Sequence, residues 1–289
     1  MSYDLFFTKP KITRADFESY FQKRRNYRLD GSQALYENED TGTYFNFDHS
    51  ESGDEEDPEA TEYSAMFNIN LFRPSYFILE AEPEVSAFVK HFKCEIEDPQ
   101  GDGDGPYSAD GLKNGWNHSN RFGYQAVLRD QEGPEKIFAR PEEELTAIWK
   151  WNYKRAALAR IMLEDIFIPR IRFGIFGGEL ASFCVWPDAI STLIPRVDRL
   201  WIPRSKLAPR PLFGRRKDDE CVIPFATALP VLQPYHSDAH SLDAYKLPAP
   251  VPPKQIAAFV SKLTATKINV EGIGMDQVLT KELVDEARG

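Results

Sequence analysis

The sequence predicts an α+β protein: an N-terminal ferredoxin-like α/β sandwich, then a C-terminal half of mixed helices and antiparallel strands. Three observations lead there. Residues 1–98 alternate between period-2 and 3.6-residue apolar spacing in the order β-α-β-β-β-α-β. Residues 98–106 then hold three glycines and two prolines, which reads as a break. Further on, Gly177-Gly178 lies between two apolar runs, a hairpin signal. The expected organisation is an acidic α+β domain over 1–98, a Gly/Pro/Asp loop over 99–115, and a second α+β domain with a hairpin-rich sheet over 116–289.

The aromatic and aliphatic run at 3–8 reads as a strand that Pro10 ends. Thr13 suits an N-cap, and Phe17, Tyr20 and Phe21 at i, i+3, i+4 predict an amphipathic helix over 14–25. Residues 34–38 and 43–48 read as strands around the turn Asp40-Thr41-Gly42. Tyr63, Ala65, Phe67, Ile69 and Leu71 alternate with polar neighbours, marking a half-buried strand. Extended structure is expected to resume at 76–79. Pro83 suits a helix's first turn, and Val85, Phe88, Val89 and Phe92 give that helix its apolar face. Residues 93–97 close the sheet.

In the second half, Asn114-Gly115-Trp116-Asn117 and Asn120 read as ordered loop whose polar side chains tie down backbone. Pro141 and three glutamates open a long helix, with Leu145, Ile148, Trp149, Asn152, Ala156 and Ala159 inward. Strands are expected at 170–176, 179–186, 197–203 and 221–225, an extended spacer at 248–253, and helices around 256–263 and 275–287.

Charge is unevenly distributed. Residues 1–110 balance at −14 and residues 111–289 at +4, giving the net −10. The acidic excess is sharpest at 50–62, which carries Asp54, Glu55, Glu56, Asp57, Glu59 and Glu62. Such a surface captures basic partners quickly and repels nucleic acid and anionic membrane. No apolar run reaches the ~20 residues of a membrane span, and the N-terminus lacks a signal-peptide pattern. The expected compartment is therefore the cytoplasm. Cys94, Cys184 and Cys221 form no disulfide framework and read as small buried hydrophobes.

Signals for chemistry are sparse. Asp98, Asp102 and Asp104 are weak metal candidates, but Pro106 and Lys113 stand where a calcium loop needs oxygen ligands. His236 and His240 are four apart in a loop-like context with no evident third ligand. There is no nucleophile elbow, phosphate loop or dinucleotide fingerprint. Arg196, Arg199, Arg204, Lys206, Arg210, Arg215, Arg216 and Lys217, interleaved with Trp201 and Phe213, could form a phosphate-binding surface.

The stretches Ser2-Tyr3-Asp4-Leu5-Phe6-Phe7, Tyr36-Glu37-Asn38-Glu39-Asp40-Thr41-Gly42-Thr43-Tyr44-Phe45, Phe67-Asn68-Ile69-Asn70-Leu71-Phe72-Arg73-Pro74, Asp98-Pro99-Gln100 and Gly115-Trp116-Asn117 resemble a group of largely uncharacterised bacterial proteins. Val185-Trp186-Pro187-Asp188 and Val197-Asp198 extend the likeness into the second half. Members are encoded beside polymorphic or type VI secreted toxins and look like their immunity proteins. The resemblance implies a cytoplasmic, non-enzymatic protein that occludes the active site of a cognate basic toxin domain and needs no cofactor. It brings no catalytic residues. The partner-binding residues expected from the charge pattern are Asp54, Glu55, Glu56, Asp57, Glu59 and Glu62. The alternatives are a metal-dependent hydrolase and, behind it, a nucleic-acid-binding module.

Overall fold

The computed structural model describes residues 1–50, 63–101, 106–129, 136–162, 165–210, 215–237, 243–267 and 269–289. Two compact units are present, Met1–Thr146 with Asp276–Gly289, and Ala147–Met275. The second is an insertion in the chain of the first, and the boundary expected at 99–115 falls inside the first unit.

The first unit is built on β1 (Ser2–Lys9), α1 (Arg14–Phe21), β2 (Tyr27–Asp30), β3 (Gln33–Asn38), β4 (Thr43–His49), β5 (Ala65–Asn70), α2 (Phe77–Phe92) and β6 (Glu95–Glu97). The six strands form one antiparallel sheet in the order β2-β3-β4-β5-β1-β6. Alternation sends Tyr3, Leu5, Phe7, Ala34, Tyr36, Phe45, Phe47, Ala65, Phe67 and Ile69 into the core. Helices α1 and α2 cover that face. Phe88 of α2 lies 4.7 Å from Phe7, 5.0 Å from Phe47 and 5.8 Å from Phe21 by ring centroid. Thr13 caps α1 as the sequence suggests, its hydroxyl accepting the Asp16 N–H at 3.2 Å.

Three expectations are corrected in this unit. Helix α1 stops at Phe21, because Asn26 turns the chain through a left-handed φ of 68° into the unforeseen strand β2. Residues 77–79 are helical rather than extended, so Pro83 sits in the second turn of α2 and not the first. Burial of Phe77, Ile78, Ala81, Val85 and Phe88 on one face outweighs the backbone bond the proline removes. Residues 109–115 are not loop: α3 (Ala109–Arg129) includes Asn114, Gly115, Trp116, Asn117 and Asn120. Asn120 does tie down backbone, but from within the helix. Its amide oxygen accepts the Arg73 N–H at 3.1 Å and its Nδ2 donates to the Arg73 carbonyl at 2.9 Å.

The unit is closed by β7 (Phe138–Arg140), the start of α4 (Glu142–Ile161) and the returning C-terminus. After the inserted unit, β16 (Val278–Thr280) pairs in parallel with β7, and α7 (Lys281–Arg288) lies along α3. Tyr124, Leu279, Val284 and Ala287 make the small core beneath.

The inserted unit contains the rest of α4, then β8 (Arg172–Phe176), β9 (Glu179–Val185), β10 (Leu193–Pro195), β11 (Arg199–Arg204), β12 (Asp219–Pro224), α5 (Phe225–Leu232), β13 (His236–Ser237), β14 (Ala244–Lys246), α6 (Lys254–Ser261) and β15 (Val270–Ile273). Its main sheet has the order β12-β11-β9-β8-β15, and β10, β14 and β13 form a second. The Gly177-Gly178 hairpin is present, both glycines at positive φ (61° and 93°) as its tight turn demands. In α4 the buried residues include Trp151 and Leu158, whereas Ala159 is exposed and Trp149 stacks on Tyr153. The choice is made by hydrogen bonding: the Trp151 indole donates to the Pro169 carbonyl at 2.8 Å, and Asn152 brackets the backbone of Ile171.

Arg204 is the polar centre of this unit. It is 1% exposed, grips the Asp219 carboxylate through two bonds of 2.8 and 2.7 Å, and donates to the carbonyls of Val260 and Leu263. Arg204→Ala leaves Asp219 and two carbonyls without that donor, and is expected to lower stability by about 3–5 kcal/mol. Arg204→Lys recovers only part, since an ammonium cannot reproduce the fork. Urea unfolding of the three proteins checks this. In α3, a Cβ on Gly123 would stand 3.1 Å from Leu71 Cβ and 3.2 Å from the Phe72 backbone nitrogen. Gly123→Ala is therefore expected to lower the thermal midpoint, against the ~0.5–1 kcal/mol that alanine adds in an uncrowded helix.

Candidate protein-binding face

The pleat that buries one side of the first sheet presents the other. Two transverse rows run across it. One is Gln33, Asp48, Met66, Phe6 and Glu97, and the other is Leu35, Asn46, Asn68 and Asp4. From Asp48 to Glu97 and from Leu35 to Asp4 these side chains are half-buried, unlike the sealed aromatic face. Asn68 donates its amide to Asp4, and Asn46 donates to Asp48 Oδ2 at 2.7 Å. Arg28, in register with Leu35, is paired with Asp30 at 3.1 Å. The face thus sets three carboxylates, Asp4, Asp48 and Glu97, among the amides of Gln33, Asn46 and Asn68 and the apolar Leu35, Met66 and Phe6.

Asp48 is the most perturbed group here. Burial pushes its carboxyl above the ordinary value and the nearby Asp4 charge adds to this, against the lowering effect of amide donors on Gln33 and Asn46. Its Oδ1 is enclosed without a hydrogen-bond partner.

The acidic run connects β4 to β5 in the sequence. Residues 51–62, with Asp54, Glu55, Glu56, Asp57, Glu59 and Glu62, lie outside the described residues. Their flanks are fixed: β4 and β5 pair antiparallel up to His49 opposite Ala65, and the Ser50 N–H donates to the Ser64 carbonyl at 3.0 Å. The described strands therefore stay paired to Ser50 and Ser64, two residues beyond Asp48 on β4.

The other nominated residues are placed differently. Asp98 accepts the Tyr3 hydroxyl and the Gln100 N–H, which fastens the chain leaving β6. Asp102 and Asp104 lie outside the described residues, as does His240. His236 stands in β13 with Nε2 2.9 Å from Asp243. Among the described residues no group of three or more His, Cys, Asp or Glu could hold a metal ion, and no helix is long and apolar enough to cross a membrane. Cys184 and Cys221 are buried and Cys94 is half-buried, where burial pushes its thiol up to about 12.

The basic stretch is not one surface. Arg204 is interior, Arg196 pairs with Asp243 at 3.4 Å, and Arg199 lies over the Phe176 ring at 5.3 Å. Sequence spacing could not show this, because alternation along β11 sends successive residues to opposite faces. Asp188 and Asp198, from the motifs in the second half, are fasteners. Asp188 accepts the N–H groups of Ser205, Lys206 and Leu207, and Asp198 accepts the N–H and hydroxyl of Ser182. Burial alone would raise the Asp188 carboxyl, but the donors of Ser205, Lys206 and Leu207 hold it below its ordinary value.

The chain matches no family model, and comparisons with curated proteins and with solved structures give no significant match.

Because the folded Asp48 value lies above the ordinary ~3.9, this group favours folding at acid pH. That contribution is lost as pH rises through the raised value. Asp48→Asn removes the ionisation, so its stability relative to the parent is expected to improve from about pH 3 to pH 7. Urea midpoints at both pH values measure this, and a difference independent of pH would contradict it.

Proposed function

We propose that this chain is a cytoplasmic immunity protein that binds a cognate secreted antibacterial toxin and blocks its active site. The observation that carries the reading is the row of carboxylates on the sheet face, whose strands β4 and β5 are joined in sequence by the acidic run. Asp4, Asp48 and Glu97 are held on paired strands, and seven further acidic residues lie between β4 and β5 in the sequence. Many toxins act on nucleic acid or nucleotides and present basic clefts. An acidic face on a rigid sheet complements such a cleft and speeds encounter with it. The likeness of the N-terminal motifs to toxin-neighbouring immunity proteins supports the same reading.

The hydrolase alternative has less to stand on, since Asp98 is taken up by Tyr3 and Gln100. The nucleic-acid alternative loses the continuity of its basic stretch. We also read the first sheet as a ferredoxin-like arrangement enlarged by a hairpin. Its support is the pair of helical crossovers, from β1 through α1 to β2 and from β5 through α2 to β6, on one face.

The test pairs this protein with the toxin domain encoded next to it. Co-expression is expected to restore growth, and a purified 1:1 mixture to lose toxin activity. Changing the six acids of residues 54–62 to Asn and Gln is expected to slow association about tenfold and flatten its salt dependence. Unchanged association kinetics would remove the acidic run from the interface, and failure to protect or bind would overturn the immunity reading.

A further inference from the structure

The β8–β9 face of the inserted unit carries a groove of about 430 Å³, lined by Arg170, Arg172, Phe183, Trp201 and Gly272 among others. Its composition is set by register. Arg172, Phe183 and Arg199 stand in one transverse row, with Trp201 beside them on β11. Phe176, Phe183 and Trp201 form a chain of rings at 5.4 and 5.9 Å, and the Arg199 guanidinium lies over the first of them. Glu220 holds the Trp201 indole N–H at 2.9 Å and so fixes that ring.

Beside this aromatic wall, the sheet has a slot. Gly174 and Gly272 are register partners on β8 and β15, so neither position carries a side chain of its own. The two glycines do not serve the same purpose. A Cβ on Gly174 would stand 2.7 Å from Val270 Cγ1 and 3.2 Å from Phe183 Cε1, so its absence lets those side chains close over the strand. A Cβ on Gly272 would meet nothing within 4 Å, and its backbone does not require glycine's positive φ. Packing therefore leaves the space at Gly272 open.

We propose that this groove binds a nucleoside phosphate, with the planar base in the slot beside Phe183 and Trp201 and the phosphate at Arg170 and Arg172. A flat ring fits the open floor at Gly272, and the half-buried Trp201 ring can stack on any base. Exposed Arg172 offers a planar fork that matches phosphate oxygens. The volume suits a mononucleotide rather than a larger cofactor. This site is independent of the acidic face, and the proposal does not rest on the immunity reading.

Calorimetric titration with AMP, GMP, CMP and UMP tests it, with ribose 5-phosphate as the baseless control. Saturable binding by at least one nucleotide is expected, with the control about tenfold weaker or worse. Arg172→Glu reverses an exposed charge at the mouth, and Gly272→Leu fills open space. Each is expected to weaken binding about tenfold or more while leaving the thermal midpoint near that of the parent. A four-residue RNA strand binding more tightly than any mononucleotide, with the same sensitivity to Gly272→Leu, would support the site and identify a strand end as its source. No saturable binding, equal binding of the control, or binding that survives Gly272→Leu would overturn the proposal.

Discussion

The two-residue pleat of the first sheet is the constraint on which the rest of that unit depends. Phe47 must point at Phe88 and Phe21, so Asn46 and Asp48 must point away. The same step on β1 buries Leu5 and presents Asp4, and on β5 it buries Phe67 and presents Asn68. Register cannot slip by one residue without driving carboxylates into an aromatic core. Each buried phenylalanine contributes roughly 1.5–3 kcal/mol against exposure, and ring–ring contacts add to that. The acidic face is therefore fixed by the aromatic face.

Legibility from sequence followed the strength of local periodicity. The strands around Phe45 and Phe67 could be read because alternation there is strict and bounded by turn residues. Helix α2 was blurred because Pro83 looks like a helix start, whereas the spacing of Phe77, Ala81, Val85 and Phe88 already marks a helical face. Helix α3 is not legible locally because Asn114, Gly115 and Asn117 have low helix propensity, and its reasons for being helical are tertiary. Trp116 donates to the Asn70 carbonyl, and Gly123 lets the helix lie against Leu71. The return of the C-terminus to β7 is a long-range pairing with no local signature. The candidate faces were legible in part. The acidic run stands out by composition, but the row of Asp4, Asn68 and Asn46, with Asp48 in the row beside it, emerges only once the register is known.

The inserted unit shows why a count of arginines says little about a surface. Arg204 serves the interior, and its bidentate bond to Asp219 joins β11 to β12 while its other donors hold the end of α6. Arg199, five residues earlier and on the opposite face, lies on an aromatic ring instead. One residue type thus anchors a core on one side of a sheet and decorates a groove on the other. The groove and the acidic face share an origin: both are the sides of sheets that the core does not need.

Charge on a sheet also behaves differently from charge in a run of adjacent residues. Asp4 and Asp48 are separated by β5 and one step of the pleat, which places them about 12 Å apart. At that separation in water their repulsion is only about 0.3 kcal/mol, and physiological salt reduces it further. Each also accepts an amide hydrogen from an asparagine lying between them. This explains why burial rather than Asp4 is the larger influence on Asp48. A basic surface brought against the sheet would meet both carboxylates at short range and exclude the water that screens them. The arrangement costs the free protein little, while the strands have already paid the ordering entropy of the sheet's share of the charge. A sheet-borne carboxylate therefore contributes more per charge to capturing a cationic partner than the same residue in an unanchored tail.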